Sequence, residues 1–245
     1  MRLLVSVRDA DEALAAVAGG ADIIDAKEPT LGPLAPVSPG ALQSICAAVP
    51  PAVPLSVALG DARPSELSGI ATAVAPLQRR TDLYFKAALL SASPREAAEA
   101  IATTAGLLAT RPDRPALIVA RYVDEPDDAH DLLSWVEVCA ASGARGLLLD
   151  TSRKNEGNLL ASVDVHTLVA LRRCATRRGV WLALAGGMTI DDVELLGEVR
   201  PHVVGVRGAA CDGLRTGTLS RERVTLLRYA MKQVMGRQEP QAFPA

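Results

Sequence analysis

Eight apolar runs of strand length recur along this 245-residue chain, and a segment of helical character follows each of them. The runs cover 2–7, 21–27, 54–59, 82–87, 116–122, 145–151, 180–185 and 202–206. The helical segments cover 9–18, 39–48, 65–77, 95–109, 129–141, 165–178, 190–198 and 221–235. Runs such as Leu117-Ile118-Val119-Ala120 are apolar at every position, as in strands buried on both faces, which implies a parallel sheet covered by helices. Strict alternation leaves two architectures, a closed barrel or an open doubly wound sheet. No G-x-G-x-x-G follows the first strand, so the doubly wound sheet lacks its usual signature. Eight units match the (β/α)8 TIM barrel, whose typical length is about 250 residues. The predicted fold is therefore an α/β barrel in one domain, 1–235, with a flexible tail at 236–245. Asp9, Ser38, Thr189 and Ser220 are candidate N-caps, and Gly19-Gly20, Gly143 and Gly179 are candidate helix stops. The longest irregular stretch, 28–39, is a candidate lid.

The formal net charge of −2 excludes a concentrated basic face of the kind that binds nucleic acid. Arg79-Arg80, Arg172-Arg173 and Arg177-Arg178 read as solvated helix faces or helix C-terminal charges. No stretch reaches the roughly 18 consecutive apolar residues of a membrane span, and the start of the chain turns acidic too early for a secretory leader. Cys46, Cys139, Cys174 and Cys211 are scattered, and His130, His166 and His202 share no ligand spacing. The expectation is a cytoplasmic protein with no metal and no cofactor. Asp127, Asp128 and His130 suit a helix start better than a metal site, and Cys211 reads as a small buried filler rather than a nucleophile. A homo-oligomer is open, with no self-complementary patch to point to.

Only four of the 26 cationic side chains are lysines, and three of them, Lys27, Lys86 and Lys154, lie at or just past strand ends. That is the catalytic face of a barrel. A chain that writes arginine almost everywhere else keeps lysine where an amine that can lose its proton is useful. Any one such lysine can equally be a solvated rim charge. Asp25 and Lys27, two apart on a strand, face the same side. Lys86 closes the fourth strand, Asp150 closes the sixth, and Asp61 follows the third. Crowded ammonium groups lower the pKa of at least one of them, which yields an amine able to form an imine, while Asp25 and Asp150 orient the lysines and carry protons. The plainer alternative is a pair of rim ion pairs, Asp25 with Lys27 and Asp150 with Lys154. Gly186-Gly187 and Arg207-Gly208 follow strands seven and eight, where barrels bind phosphate through loop amides and a helix N-terminus. Arg207 can add a bidentate contact; glycine in such places can also only permit a turn. The expected ligand is a small phosphorylated carbonyl compound.

The segments GGADIIDAKEP (19–29), LLLDTSRKNEG (147–157), LALAGG (182–187) and VVGVRGAAC (203–211) resemble the (5-formylfuran-3-yl)methyl phosphate synthase family of methanofuran biosynthesis, and the resemblance runs over nearly the whole chain. It implies condensation of two molecules of glyceraldehyde 3-phosphate, a phosphorylated aldehyde, with loss of one phosphate and of water and without a cofactor. By the same resemblance Lys27 is the Schiff-base lysine, Lys86 the proton acceptor, and Asp25, Asp150 and Lys154 the supporting charges. The chain departs from the family in having Ala87-Ala88 after Lys86, where glycine is usual, and more prolines and fewer cations in 28–39. A methylotrophic bacterium suits the arginine-rich composition. Two rival readings are a general class I aldolase, which would release an open-chain sugar, and a barrel that binds phosphometabolites without catalysis.

Overall fold

Parallel pairing runs unbroken through β1 (Arg2–Val7), β2 (Ile23–Ala26), β3 (Leu55–Ala62), β4 (Leu83–Leu89), β5 (Ala116–Tyr122), β6 (Gly146–Asp150), β7 (Trp181–Leu184) and β8 (Val203–Val206). In this computed structural model, which describes residues 1–77, 82–125, 131–153 and 157–236, β8 pairs back onto β1 and closes the barrel. The expected (β/α)8 architecture is the one observed. Its helices are α1 (Ala10–Ala18), α2 (Pro39–Ala48), α3 (Pro64–Ala73), α4 (Pro94–Ala109), α5 (Leu132–Ser142), α6 (Leu159–Ser162), α7 (Val165–Arg178), α8 (Val193–Val199) and α9 (Arg221–Gly236). Among the described residues, no helix is long and apolar enough to cross a membrane.

Local chemistry accounts for most of the boundaries. The Asp9 carboxylate accepts the Glu12 amide at 2.9 Å and Ser38 Oγ accepts that of Ala41 at 3.2 Å, which caps α1 and α2. Gly143 and Gly179 close α5 and α7 in the left-handed conformation. Four details differ from expectation. A register shift between Ala58 and Gly60 lets β3 continue past the glycine, which carries Asp61 into the strand. Pro76 disfavours helical backbone just before it, and α3 stops at Ala73. The Asp192 carboxylate holds the Thr189 amide and hydroxyl, so α8 starts at Val193 and Thr189 is not its cap. One helical turn, α6, occupies a stretch expected to be loop. Arg79, Arg80, Asp127, Asp128, His130 and Lys154 lie outside the described residues, as do 237–245.

The period-two pattern of each strand sorts its side chains into two layers. Leu3, Val5, Phe85, Leu117, Leu147 and Leu182 face the helices, while Tyr84, Ala88, Ile118, Ala120, Tyr122 and Leu148 fill one side of the interior. Leu34, from the 28–39 stretch, is 1 % exposed and joins the interior cluster. That stretch is thus anchored across the β4–β5 side of the mouth. Ala88 packs in the same cluster.

Close approach of α1 to α9 depends on Gly19. A Cβ there would sit 2.6 Å from Val224 Cβ and 2.8 Å from the Arg221 carbonyl oxygen. Gly19→Ala should therefore cost about 1–3 kcal/mol through overpacking. Gly106→Ala, in the exposed last turn of α4 with no atom within 4 Å of the added methyl, should gain up to about 1 kcal/mol from helix propensity. Urea denaturation of the two variants checks the opposite signs.

Candidate active site

Asp25 is the most deeply buried charge of the interior, at 0 % exposure. Both its oxygens accept from Lys86 Nζ at 2.8 Å, and Ser6 Oγ donates to Oδ2 at 2.8 Å. Ser56 adds a further hydrogen bond. Burial alone would lift the carboxyl, but the ammonium groups of Lys86 and Lys27 outweigh it and hold Asp25 below its ordinary value. Lys27 follows β2 directly, and its amide continues the strand pairing by donating to the Val7 carbonyl at 3.0 Å. Its side chain, that of Lys86 and that of Asp150 line one cavity of about 590 Å3 inside the barrel mouth. Spacing within β2 suggested an Asp25–Lys27 pair; the lysine hydrogen-bonded to Asp25 at 2.8 Å is Lys86, from β4, two strands away.

Asp150 ends β6 at 1 % exposure, with Oδ1 accepting the Thr151 amide at 2.8 Å. Close by, the Tyr122 hydroxyl donates to Asp61 Oδ1 at 2.6 Å. Burial first, and then the charges of Asp61, Asp150 and Asp124, push the Tyr122 phenol far up, so it stays a hydrogen-bond donor. The cavity narrows downward onto Trp181, whose ring is flanked by the guanidinium groups of Arg2 at 3.9 Å and Arg145 at 4.3 Å.

Two glycine loops rim the other side. Gly186 has φ +101°, and a Cβ there would lie 2.9 Å from the Thr151 amide nitrogen and hydroxyl; Gly187, at φ +66°, is pressed against Asn158. Close approach of the β7 and β6 loops therefore requires both glycines, and both line the cavity. Gly208 opens a turn of only three residues, Gly208–Ala210, too short for a helix macrodipole, so loop amides are what this rim offers an anion.

Arg207 behaves differently from expectation. Its Nε donates to the Arg215 carbonyl at 2.8 Å, Nη1 to the Ser6 carbonyl at 3.0 Å and to Glu12, and Nη2 to Glu12 at 3.0 Å and the Gly217 carbonyl at 2.9 Å. All five N–H groups are matched by protein acceptors, which leaves none for a phosphate. Glu12 also accepts from the Arg8 amide and guanidinium at 2.8 Å. Its carboxyl, which burial would lift, is held low by Arg207 and Arg8. Glu12 escaped the sequence reading although Arg8 and Glu12 have the i, i+4 spacing of a helical ion pair. Tyr122, Ser6 and Ser56 carried no separate signal. Cys211 is buried, and burial lifts its thiol, as suits a filler.

The arrangement offers an amine at a cavity wall, a second amine held by a buried carboxylate, and two more carboxylates at the mouth. Chemically, that set suits imine formation and proton transfer next to a carbonyl.

A model of the family described as 4-HFC-P synthase matches residues 3–228. A (5-formylfuran-3-yl)methyl phosphate synthase of Methanothermobacter thermautotrophicus is 32 % identical over 235 residues, covering 93 % of this chain and 98 % of that protein. The corresponding protein of Archaeoglobus fulgidus is 29 % identical over 240 residues, with coverage of 94 % and 99 %. Among solved structures, a phosphoribosyl anthranilate isomerase from Thermus thermophilus shares the fold with a TM-score of 0.61 and 20 % identity, over 96 % of this chain and 100 % of that one. A 3-hexulose-6-phosphate synthase from Salmonella typhimurium does so with a TM-score of 0.59 and 17 % identity, over 98 % and 100 %.

Replacing Asp25 by Asn should cost about 3–5 kcal/mol, because it leaves the buried Lys86 ammonium uncompensated, and adding Lys86→Met should recover most of the loss. Urea melts of the two variants test this. Asp25 and Glu12 are both held below their ordinary values, so the stability they supply is complete only above about pH 5, where unfolded carboxylates are ionised, and fades as the pH falls through the lowered folded values. Acid unfolding followed by circular dichroism should accordingly be shallower in Asp25→Asn than in the wild type.

Proposed function

The chain belongs to the 4-HFC-P synthase family, and from that premise we propose that it condenses two molecules of glyceraldehyde 3-phosphate into (5-formylfuran-3-yl)methyl phosphate, the furan unit of methanofuran, through an imine on Lys27. The observation that carries this reading is the placement of Lys27 and Lys86 around the buried carboxylate of Asp25. Lys27, at the cavity wall beside this pair, is the amine that attacks the aldehyde carbon.

Lys86 starts as the ammonium donor of its pair with Asp25, so its first task is to give a proton to the departing carbinolamine hydroxyl, which leaves as water. The amine so formed then takes the proton from the carbon next to the protonated imine. The resulting enamine expels phosphate from C3 of the first molecule, and the enol left behind makes the new carbon–carbon bond from that C3 to C2 of the second molecule, which has first become its ketone isomer by proton transfer from C2 to C1 and whose carbonyl oxygen takes up a proton. The C1 hydroxyl of the second molecule closes the ring onto C2 of the first, and dehydration at these two former carbonyl carbons leads to the furan; hydrolysis of the imine frees Lys27. Over the whole sequence one phosphate and two waters leave. Asp150, at the mouth, is placed to carry protons in the later eliminations, and Lys154 is assigned a supporting charge by its motif. The phosphates lie toward the Gly186-Gly187 and Gly208 loops.

Incubation with glyceraldehyde 3-phosphate and borohydride should give a mass adduct in the wild type that is absent from Lys27→Arg, together with an ultraviolet-absorbing furan phosphate when borohydride is omitted. Lys86→Gln should still give the adduct, more slowly because the carbinolamine loses its proton donor, while turnover falls by about 10²- to 10⁴-fold. An open-chain product would instead mark a general aldolase, and an adduct that survives Lys27→Arg would remove Lys27 from its role.

A further inference from the structure

Arg207 has no donor left, yet the glycine rim on which it stands faces a cavity that also holds Arg215. Arg215 lies in the stretch between the Gly208–Ala210 turn and α9, which an antiparallel bridge between Cys211 and Leu219 draws into a closed loop. Three consecutive carbonyls of that loop are gripped from below. Arg207 holds those of Arg215 and Gly217, at 2.8 and 2.9 Å, and Arg8 holds that of Thr216 at 3.1 Å. Glu12 forms ion pairs with both arginines, which fixes the grip.

What the loop presents is the Arg215 side chain. Its Cβ lies 3.7 Å from the place a Cβ on Gly208 would take, so it stands directly over that glycine. The guanidinium is half-buried and makes one hydrogen bond, from Nη2 to the Gly32 carbonyl at 3.3 Å. Among the described residues no carboxylate forms an ion pair with it, whereas Lys86 and Arg207, on the same cavity, are tied to Asp25 and Glu12. Burial works against the Arg215 charge, Asp150 supports it from a distance and Arg207 opposes it. A partly dehydrated guanidinium beside loop amides is satisfied by an anion with several acceptor oxygens.

We infer that Arg215, and not Arg207, is the guanidinium that meets the substrate phosphate at the Gly208 rim, and that Arg207 is the positioning residue that holds it there. The inference rests on the phosphorylated substrate of the proposed function. It adds a binding residue to that site and reassigns another.

The test compares rate constants for borohydride-trapped imine formation with glyceraldehyde 3-phosphate and with glyceraldehyde, which lacks the phosphate. The quantity read is their ratio, and trapping of the plain aldehyde reports that each variant is folded. In Arg215→Gln the ratio should fall by about 10- to 100-fold, the worth of hydrogen bonds to a charged group. Arg215→Lys should restore only part of it, since an ammonium lacks the planar fork. Arg207→Lys should lower the ratio on its own but not further in the Arg215→Gln background, because its effect passes through Arg215. A wild-type ratio kept by Arg215→Gln would overturn the inference and leave the proposed function standing; so would an undiminished effect of Arg207→Lys in that background. If the wild type itself trapped both aldehydes equally, the phosphate reading and the inference would fall together.

Discussion

A carboxylate with no exposure to water, at Asp25, is the constraint around which the barrel is arranged. Removing an ion from water costs several kcal/mol, and a compensating charge recovers that only with good geometry and filled hydrogen-bond positions. Asp25 has both: Ser6 comes from β1, Ser56 from β3 and Lys86 from β4, so polar atoms of neighbouring strands converge on the one carboxylate of β2. Apolar side chains of similar volume would serve stability as well or better. Closure of the sheet is what keeps the charges in place.

A second charged knot lies just above the first. Glu12 of α1 binds Arg8 at the end of β1 and Arg207 at the end of β8, across the seam where the sheet closes on itself. Ser6 belongs to both knots: its hydroxyl donates to Asp25 while its carbonyl accepts from Arg207. One residue of β1 thus couples the buried carboxylate to the loop over the rim. A change in the seam is mechanically a change in the site.

The alternation of eight strands and helices was legible because strands of a parallel sheet, covered on both faces, leave uninterrupted apolar runs. Where the reading failed, a local signal had a second meaning. Gly60 resembles a strand end, but here it absorbs a bulge that keeps Asp61 in β3. Thr189 resembles a cap, yet it serves as a donor to Asp192. The chemical residues were legible by position and not by partner. Spacing ties Asp25 to Lys27, and nothing in the pattern ties it to Lys86, 61 residues away. In the same way, the bond from Arg207 to Glu12 spans 195 residues, and no period in the sequence reports it. Arg215 sits in a polar loop, where an arginine carries no pattern at all until a backbone contact shows which way it is held.

The two tryptophans of the chain occupy opposite sides of the sheet. Trp135 is sealed in the outer layer against Arg121, and Trp181 lies at the bottom of the cavity between Arg2 and Arg145. The protein therefore carries its own optical gauge of occupancy. Light emitted by Trp181 responds to what enters the chamber, while Trp135 supplies an internal reference that the contents of the chamber do not touch.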